Sequence, residues 1–156
     1  MTALLHTVWP PQESKDLPIP QVTSTPHVEK HLLLRHHGKL VGYAKIFSRE
    51  LTAGDRTIRN MALGAVCVHP EARQFGYGRG LVKAAFGYVD NGTFECSVFQ
   101  TAVSGFYEKL GARVITTSFF DGVNKNAQPW WDKCLMVYPA VYDLGPGPLD
   151  LNGPAY

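Results

Sequence analysis

Apolar and polar positions along this chain form two kinds of pattern, and the change between them sets the predicted elements. Residues 31–35 and 40–47 are strand-like runs separated by His36-His37-Gly38-Lys39, where glycine supplies the positive φ of a tight turn, so the pair reads as a β-hairpin. Residues 61–68, Met-Ala-Leu-Gly-Ala-Val-Cys-Val, are apolar throughout instead of alternating. Such a run suits a strand covered on both faces, and Pro70 marks its end. From Tyr77 to Val89 the period lengthens: Leu81, Ala84, Ala85 and Tyr88 recur at helical spacing, and Asn91-Gly92 supplies a stop. A further strand is predicted over residues 94–99. Val103, Phe106, Tyr107 and Leu110 form a second helical stripe closed by Gly111, and residues 114–117 and 135–138 read as two more strands. The order is β-β-β-α-β-α-β-β, which implies an α/β or α+β layer built on a mixed sheet.

Proline sets the limits of this regular region. Five prolines lie in residues 1–26 and four in 139–156, while Pro70 and Pro129 are the two in between. Because proline removes a ladder donor and blocks helix interiors, three parts are predicted: a Pro-rich segment 1–30, a folded domain 31–138 and a Gly/Pro-rich tail 139–156. The first segment has room for a short strand over residues 4–8 and a single turn over 12–16, but not for two helices.

Composition narrows the class. Leu, Ile, Val and Phe make up 41 of 156 residues, enough for a packed core without metal or disulfide. The net charge of +2 gives no basic field of the kind that drives nucleic-acid binding. Cys67, Cys96 and Cys134 lie in apolar runs with no metal-ligand spacing, and read as buried thiols in a reducing compartment. No leader-like n-region and no 18-residue apolar stretch is present, so the expectation is a cytoplasmic protein without membrane contact. A charged fraction of 18% leaves room for a homodimer interface.

The chemistry concentrates in Val66-Cys67-Val68-His69-Pro70-Glu71-Ala72-Arg73-Gln74-Phe75-Gly76-Tyr77-Gly78-Arg79-Gly80-Leu81, a buried strand that runs through a Gly-rich turn into a helix. Such a turn presents backbone N–H groups at the positive end of a helix dipole, where a pyrophosphate binds. It contains no Gly-Lys-Ser/Thr, and Leu81 stands in the third glycine's place of the dinucleotide fingerprint.

On Val66, Val68, Pro70, Arg73, Gly76 and Gly78 the sequence resembles the GNAT superfamily of acyl-CoA-dependent N-acetyltransferases, whose central motif is Val-x-Val-x-Pro-x-x-Arg/Gln-x-x-Gly-x-Gly/Ala. A second resemblance lies in Phe106-Tyr107-Glu108-Lys109-Leu110-Gly111-Ala112, with Ala112 at the place of a customary aromatic. The likeness covers residues 31–138. It implies a mixed, mostly antiparallel central sheet flanked by helices and, as activity, transfer of acetyl from acetyl-CoA to a primary amine by direct attack in a ternary complex. The alternative is a non-catalytic acyl-CoA-binding or regulatory domain of the same fold, since the chain is short ahead of the hairpin.

Residue by residue, the resemblance implies that the backbone of Val66, Cys67 and Val68 pairs with the pantetheine arm as an added strand. Gln74, Phe75, Gly76, Tyr77, Gly78 and Arg79 wrap the pyrophosphate. Arg73 and Arg79 either neutralise phosphate or remain solvated surface residues, and Gln100 contacts the arm where the family often has Asn. Tyr107 matches the family's general acid, its alternative being a core aromatic. Ala62 and Gly64 occupy positions where some members carry a basic carboxylate, so the base candidate is Glu95, twelve residues before Tyr107 and expected to have an elevated pKa; its alternative is a solvent-facing strand residue. His69 reads as a surface histidine. Trp130, Trp131 and Asp132 border either the acceptor cleft or the core. No metal is expected.

Overall fold

A computed structural model describes residues 2–8, 29–130 and 134–156. Eight strands and three α-helices follow in the order α1 (Thr2–Val8), β1 (Glu29–His36), β2 (Lys39–Ala53), β3 (Arg56–Val68), α2 (Tyr77–Asp90), β4 (Ser97–Gln100), α3 (Ser104–Glu108), β5 (Arg113–Ile115), β6 (Phe119–Phe120), β7 (Leu135–Tyr138) and β8 (Leu149–Asp150). A 3-10 turn, Pro70–Phe75, joins β3 to α2. The fold is the expected mixed α/β arrangement with a mostly antiparallel sheet.

The hairpin of β1 and β2 turns through His37 at φ 47° and Gly38 at φ 77°, so both central residues are left-handed, the geometry that matches the twist of paired strands. β2 pairs antiparallel with β1 on one edge and with β3 on the other, from Ala53↔Arg56 to Gly42↔Val68. That register slips by one residue near Ala65, which has φ 51° and bulges out of the ladder. β4, β7 and β5 form a separate antiparallel three-stranded sheet.

Among the described residues, backbone hydrogen bonds join the two sheets at one place. Asn60 and Cys96 make a parallel bridge, with Met61 N–H donating to the Cys96 carbonyl at 2.8 Å and Glu95 N–H to the Arg59 carbonyl at 2.9 Å. One step further along, side chains replace the ladder. The wholly buried Asn60 accepts from Val98 N–H through Oδ1 at 2.7 Å, and Ser97 Oγ donates to the Met61 carbonyl at 2.8 Å. Asn60 Nδ2 donates to the Tyr156 hydroxyl at 2.8 Å, which in turn donates to the Val98 carbonyl at 3.0 Å. Beyond this knot β3 and β4 diverge.

Two main cores lie on either side of the division. One packs α2, through Leu81, Val82, Ala85 and Phe86, against Ala44, Ile46, Met61 and Leu63 of β2 and β3 and against Phe99, Tyr107 and Met136. The other gathers Leu51, Ile58, Cys96, Val98, Val137, Leu144, Leu149 and Leu151. Alternation places Tyr43, Phe47 and Arg49 on the opposite face of β2 from Ala44 and Ile46.

Three local expectations need correction. Residues 4–8 belong to a helix, α1: Leu4, Leu5 and Val8 recur at helical spacing and pack on Tyr43, Cys67 and Leu40. The strand expected over 94–99 starts at Ser97, because Phe94 N–H bonds back to the Tyr88 carbonyl and holds residues 94 and 95 in the turn after α2. The tail after Pro139 contains β8, which bridges Thr52 of β2 and runs parallel to β6, and it buries Leu144, Leu149 and Leu151. The turn expected over residues 12–16 lies outside the described residues.

Asn60→Ala removes the acceptor of a buried N–H and the donor to Tyr156, and is expected to cost about 2 kcal/mol of stability in urea unfolding. A loss below about 0.5 kcal/mol would mean that backbone pairing closes the sheets without it.

Candidate functional site

The open edge of β3 is the starting point. His69 N–H donates to the Val41 carbonyl on the β2 side at 2.8 Å, so alternation turns the backbone groups of Val66 and Val68 toward the side from which β4 has departed. The Cys67 backbone faces β2, and its side chain is buried with Leu4 and Tyr43. Of the three residues expected to pair with an extended ligand, Val66 and Val68 therefore carry the open edge and Cys67 does not. Burial pushes the Cys67 thiol pKa up.

This edge leads directly into the turn. Arg73 Nε donates to the Val68 carbonyl at 3.3 Å, which fixes the 3-10 segment over the strand end. Gly76 has φ 72° and ψ 10°, a left-handed geometry that sets the start of α2. A Cβ added at Gly76 or Gly80 meets no protein atom within 4 Å, so the glycines leave open space where N–H groups converge. At Gly78 an added Cβ would lie 3.6 Å from Phe106 and 3.7 Å from Val68. The strand end, the helix start and α3 thus close around one point. The residues present fit the pantetheine and pyrophosphate portions of acyl-CoA: a strand edge with no strand beside it, its Val68 carbonyl already held by Arg73, for the amides, and an open glycine turn for the anion.

Tyr107 lies on α3 beside Phe106, its ring centroid 5.0 Å from Phe106 and 4.7 Å from Phe99. It is 6% exposed, and its hydroxyl makes no hydrogen bond among the described residues. Burial raises its pKa to about 12. α3 ends as Gly111 demands: at φ 90° it donates to the Glu108 carbonyl, and Ala112 donates back to Tyr107. Gln100 ends β4, half-buried, opposite Leu135 of β7. Gln74 and Arg79 are exposed, Tyr77 half-buried. His69 caps the 3-10 turn by accepting from Glu71 N–H at 3.4 Å.

Glu95 stands elsewhere. It accepts from Arg59 N–H at 2.9 Å and from the Tyr142 hydroxyl at 2.9 Å, and pairs with Arg56 at 3.4 Å. The backbone N–H of Arg59 holds its pKa below the ordinary carboxylate value against partial burial, with Tyr142 and Arg56 adding to the effect. The expected elevated pKa is thus reversed. Six residues of strand separate Asn60, beside this network, from Val66, a span of about 20 Å. Glu95 ties the start of β3 to the tail.

The tail also covers the remaining face of β2. Buried Arg49 donates through Nη1 to the Leu151 and Pro154 carbonyls at 3.3 and 3.0 Å, and its guanidinium lies over Phe47 and Tyr156. Tyr156 packs edge-on against Phe47 at 5.3 Å and Trp130 at 4.9 Å, and its backbone lies 3.8 Å from a Cβ added at Gly64. Trp130 is half-buried in the second core; Trp131 and Asp132 lie outside the described residues. Sequence reasoning missed Asn60, Ser97, Phe106 and Tyr156. The signal for Asn60 was a lone amide opening an apolar run. Among the described residues no cluster of His, Cys, Asp and Glu could hold a metal ion, and no helix is long and apolar enough to cross a membrane.

Because the folded Glu95 carboxyl titrates below its ordinary 4.5, its contribution to stability is present above about pH 4.5 and is lost as pH falls through the folded value. Glu95→Gln is expected to lower stability by about 1 kcal/mol at pH 7, to flatten this acid limb, and to leave acyl-CoA affinity unchanged. A variant with wild-type stability but weakened acyl-CoA binding would contradict this assignment.

Comparison with known proteins bears on the family and the fold. Residues 1–115 match the family model described as an acetyltransferase (GNAT) domain. No curated protein sequence matches the chain. Among solved structures, a GCN5-related N-acetyltransferase from Kribbella flavida superposes with a TM-score of 0.51 at 23% identity, over 54% of this chain and 22% of that one. A GNAT-family acetyltransferase from Staphylococcus aureus gives 0.50 at 16% identity, over 70% of this chain and 66% of that one. The ribosomal-protein-S18-alanine N-acetyltransferase from Escherichia coli gives 0.50 at 17%, over 74% and 71%. The chain thus spans less than two thirds of the first two, and these likenesses bear on the fold. With the family model covering most of the chain, the protein belongs to the GNAT acetyltransferase domain family.

Proposed function

We propose that this chain transfers an acetyl group from acetyl-CoA to a primary amine by direct attack within a ternary complex. The observation that carries the reading is the parting of β3 from β4 beyond Asn60, which leaves the Val66 and Val68 edge open immediately before the Gly76 turn. Bound acetyl-CoA supplies the thioester that the amine attacks. Val66 and Val68 hold the amide-bearing arm by strand addition, with Gln100 at the end of the facing strand. Within the turn from Gln74 to Arg79 the backbone N–H groups of Tyr77 and Gly78, at the start of α2, receive the pyrophosphate, Arg79 N–H being bonded to the Gly76 carbonyl, and the side chains of Arg73 and Arg79 add positive charge.

Tyr107 gives its proton to the sulfur as the carbon–sulfur bond breaks. Its raised pKa keeps the phenol protonated throughout the physiological range, so the acid is always loaded. Ala62 and Gly64 carry no carboxylate and Glu95 is engaged by Arg59, Tyr142 and Arg56, so the acceptor ammonium gives one proton to water before the free amine attacks, and the nitrogen proton released as the adduct collapses goes to water as well. The tail segment with Tyr156, lying beside Gly64, forms a wall of the acceptor side.

Titration calorimetry with acetyl-CoA is expected to give micromolar binding, about −8 kcal/mol. Tyr107→Phe should lower kcat about 100-fold with acetyl-CoA affinity within twofold of wild type. An unaltered kcat removes Tyr107 from the mechanism. Binding without turnover across a broad amine panel, read as free CoA release, favours a non-catalytic acyl-CoA-binding domain.

The pH profile follows from the same assignments. kcat/KM should rise with pH up to the pKa of the acceptor amine, with no falling limb from Tyr107 below about pH 10. A falling limb between pH 7 and 9 that vanishes in Tyr107→Phe would contradict the raised pKa.

A further inference from the structure

Four rings outside the transfer chemistry meet at the outer rim of the glycine turn. The tip of the β1–β2 hairpin places His36 against the loop that ends in Phe75 and the helix that starts at Tyr77. His36 Nδ1 lies 2.7 Å from the Tyr77 hydroxyl. The His36 and Phe75 rings are 6.2 Å apart and within 18° of parallel. Phe75 and Tyr77 stand 5.6 Å apart, and His37 abuts His36 edge-on at 4.1 Å. Phe75 is 59% exposed although both its neighbours in the cluster hold it in place. Single exposed apolar residues are ordinary, but a near-parallel pair of rings pinned by a hydrogen bond is a built surface. Arg35, Lys39, Arg73 and Arg79 are exposed on the adjoining segments, with Glu71 the acidic residue of the 3-10 turn.

A flat, exposed aromatic shelf beside positive charge fits a purine ring carrying phosphate, because base–aromatic stacking uses the π-face that every purine offers. In CoA the adenosine is joined directly to the pyrophosphate, and Phe75 immediately precedes Gly76 of the turn that receives it. Resting on the cofactor reading given above, we propose that Phe75, braced by His36 and Tyr77, stacks the adenine ring of CoA, so that this chain distinguishes CoA thioesters from the same thioesters of phosphopantetheine. The hairpin tip is thereby part of the cofactor site, a role that the pantetheine edge and the glycine turn do not require of it.

The test is calorimetric titration of the full chain and its Phe75→Ala, Phe75→Leu and Phe75→Trp variants with acetyl-CoA and with acetyl-4′-phosphopantetheine. Wild type should bind acetyl-CoA about tenfold more tightly than the truncated thioester. Phe75→Ala and Phe75→Leu should narrow that margin severalfold, the remainder coming from the phosphates that acetyl-4′-phosphopantetheine lacks, while holding acetyl-4′-phosphopantetheine affinity within twofold, and Phe75→Trp should keep it. Equal weakening toward both compounds, or unchanged acetyl-CoA affinity in Phe75→Leu, overturns the adenine shelf. A change in sedimentation behaviour of the variants without narrowing of that margin assigns the rings to a subunit contact and also overturns it. If wild type binds neither compound, the cofactor reading itself fails and the shelf fails with it.

Discussion

Everything at this site depends on two strands that begin as neighbours and then part. β3 and β4 share a parallel bridge at Asn60 and Cys96, and one residue later the Asn60 amide, the Ser97 hydroxyl and the Tyr156 phenol have taken over the hydrogen bonds that a continuing ladder would have made. A buried N–H or carbonyl without a partner costs about 1–3 kcal/mol, so a sheet cannot simply be opened. Here the opening is satisfied from within at its apex, and the backbone of β3 further out pairs with β2 alone. The bulge at Ala65 bends β3 in the same stretch and sets which residues face the gap.

The second constraint is cover. β2 is long and buried over much of its length on both faces. α2 takes one face. The opposite face is shared by α1 over Tyr43 and by the tail over Phe47, Arg49 and Leu51. Arg49 shows how the tail is held: a buried guanidinium that bonds backbone carbonyls of residues 151 and 154 and stacks on two rings. Tyr156 links this cover to the apex of the opening.

Much of this was legible in the chain. The hairpin, the unbroken apolar strand, α2 with its Asn91-Gly92 stop and α3 with Gly111 followed from periodicity and from positive-φ positions, both local properties. The glycine turn and the Tyr107 helix followed from motif spacing. What failed was non-local. Glu95 looked like an interior carboxylate because Phe94 and Cys96 flank it, but its environment is set by Arg56, Arg59 and Tyr142, residues 36 to 47 positions away in the chain. The tail looked irregular because prolines and glycines interrupt it, while its burial depends on single residues, Leu144, Leu149 and Leu151, with no period to detect. Cys67 was grouped with Val66 and Val68 because alternation of backbone groups is invisible until the pairing edge is known.

Hydrogen exchange of the backbone amides, with and without saturating acetyl-CoA, tests the central claim most directly. If the open edge of β3 is the cofactor's strand partner, protection should appear at Val66, Val68 and the amides of Tyr77 and Gly78, and be absent at residues 59–61, where β3 is already paired on both sides. Protection that spares Val66 and Val68, or exchange unchanged along the whole strand at saturation, would contradict it.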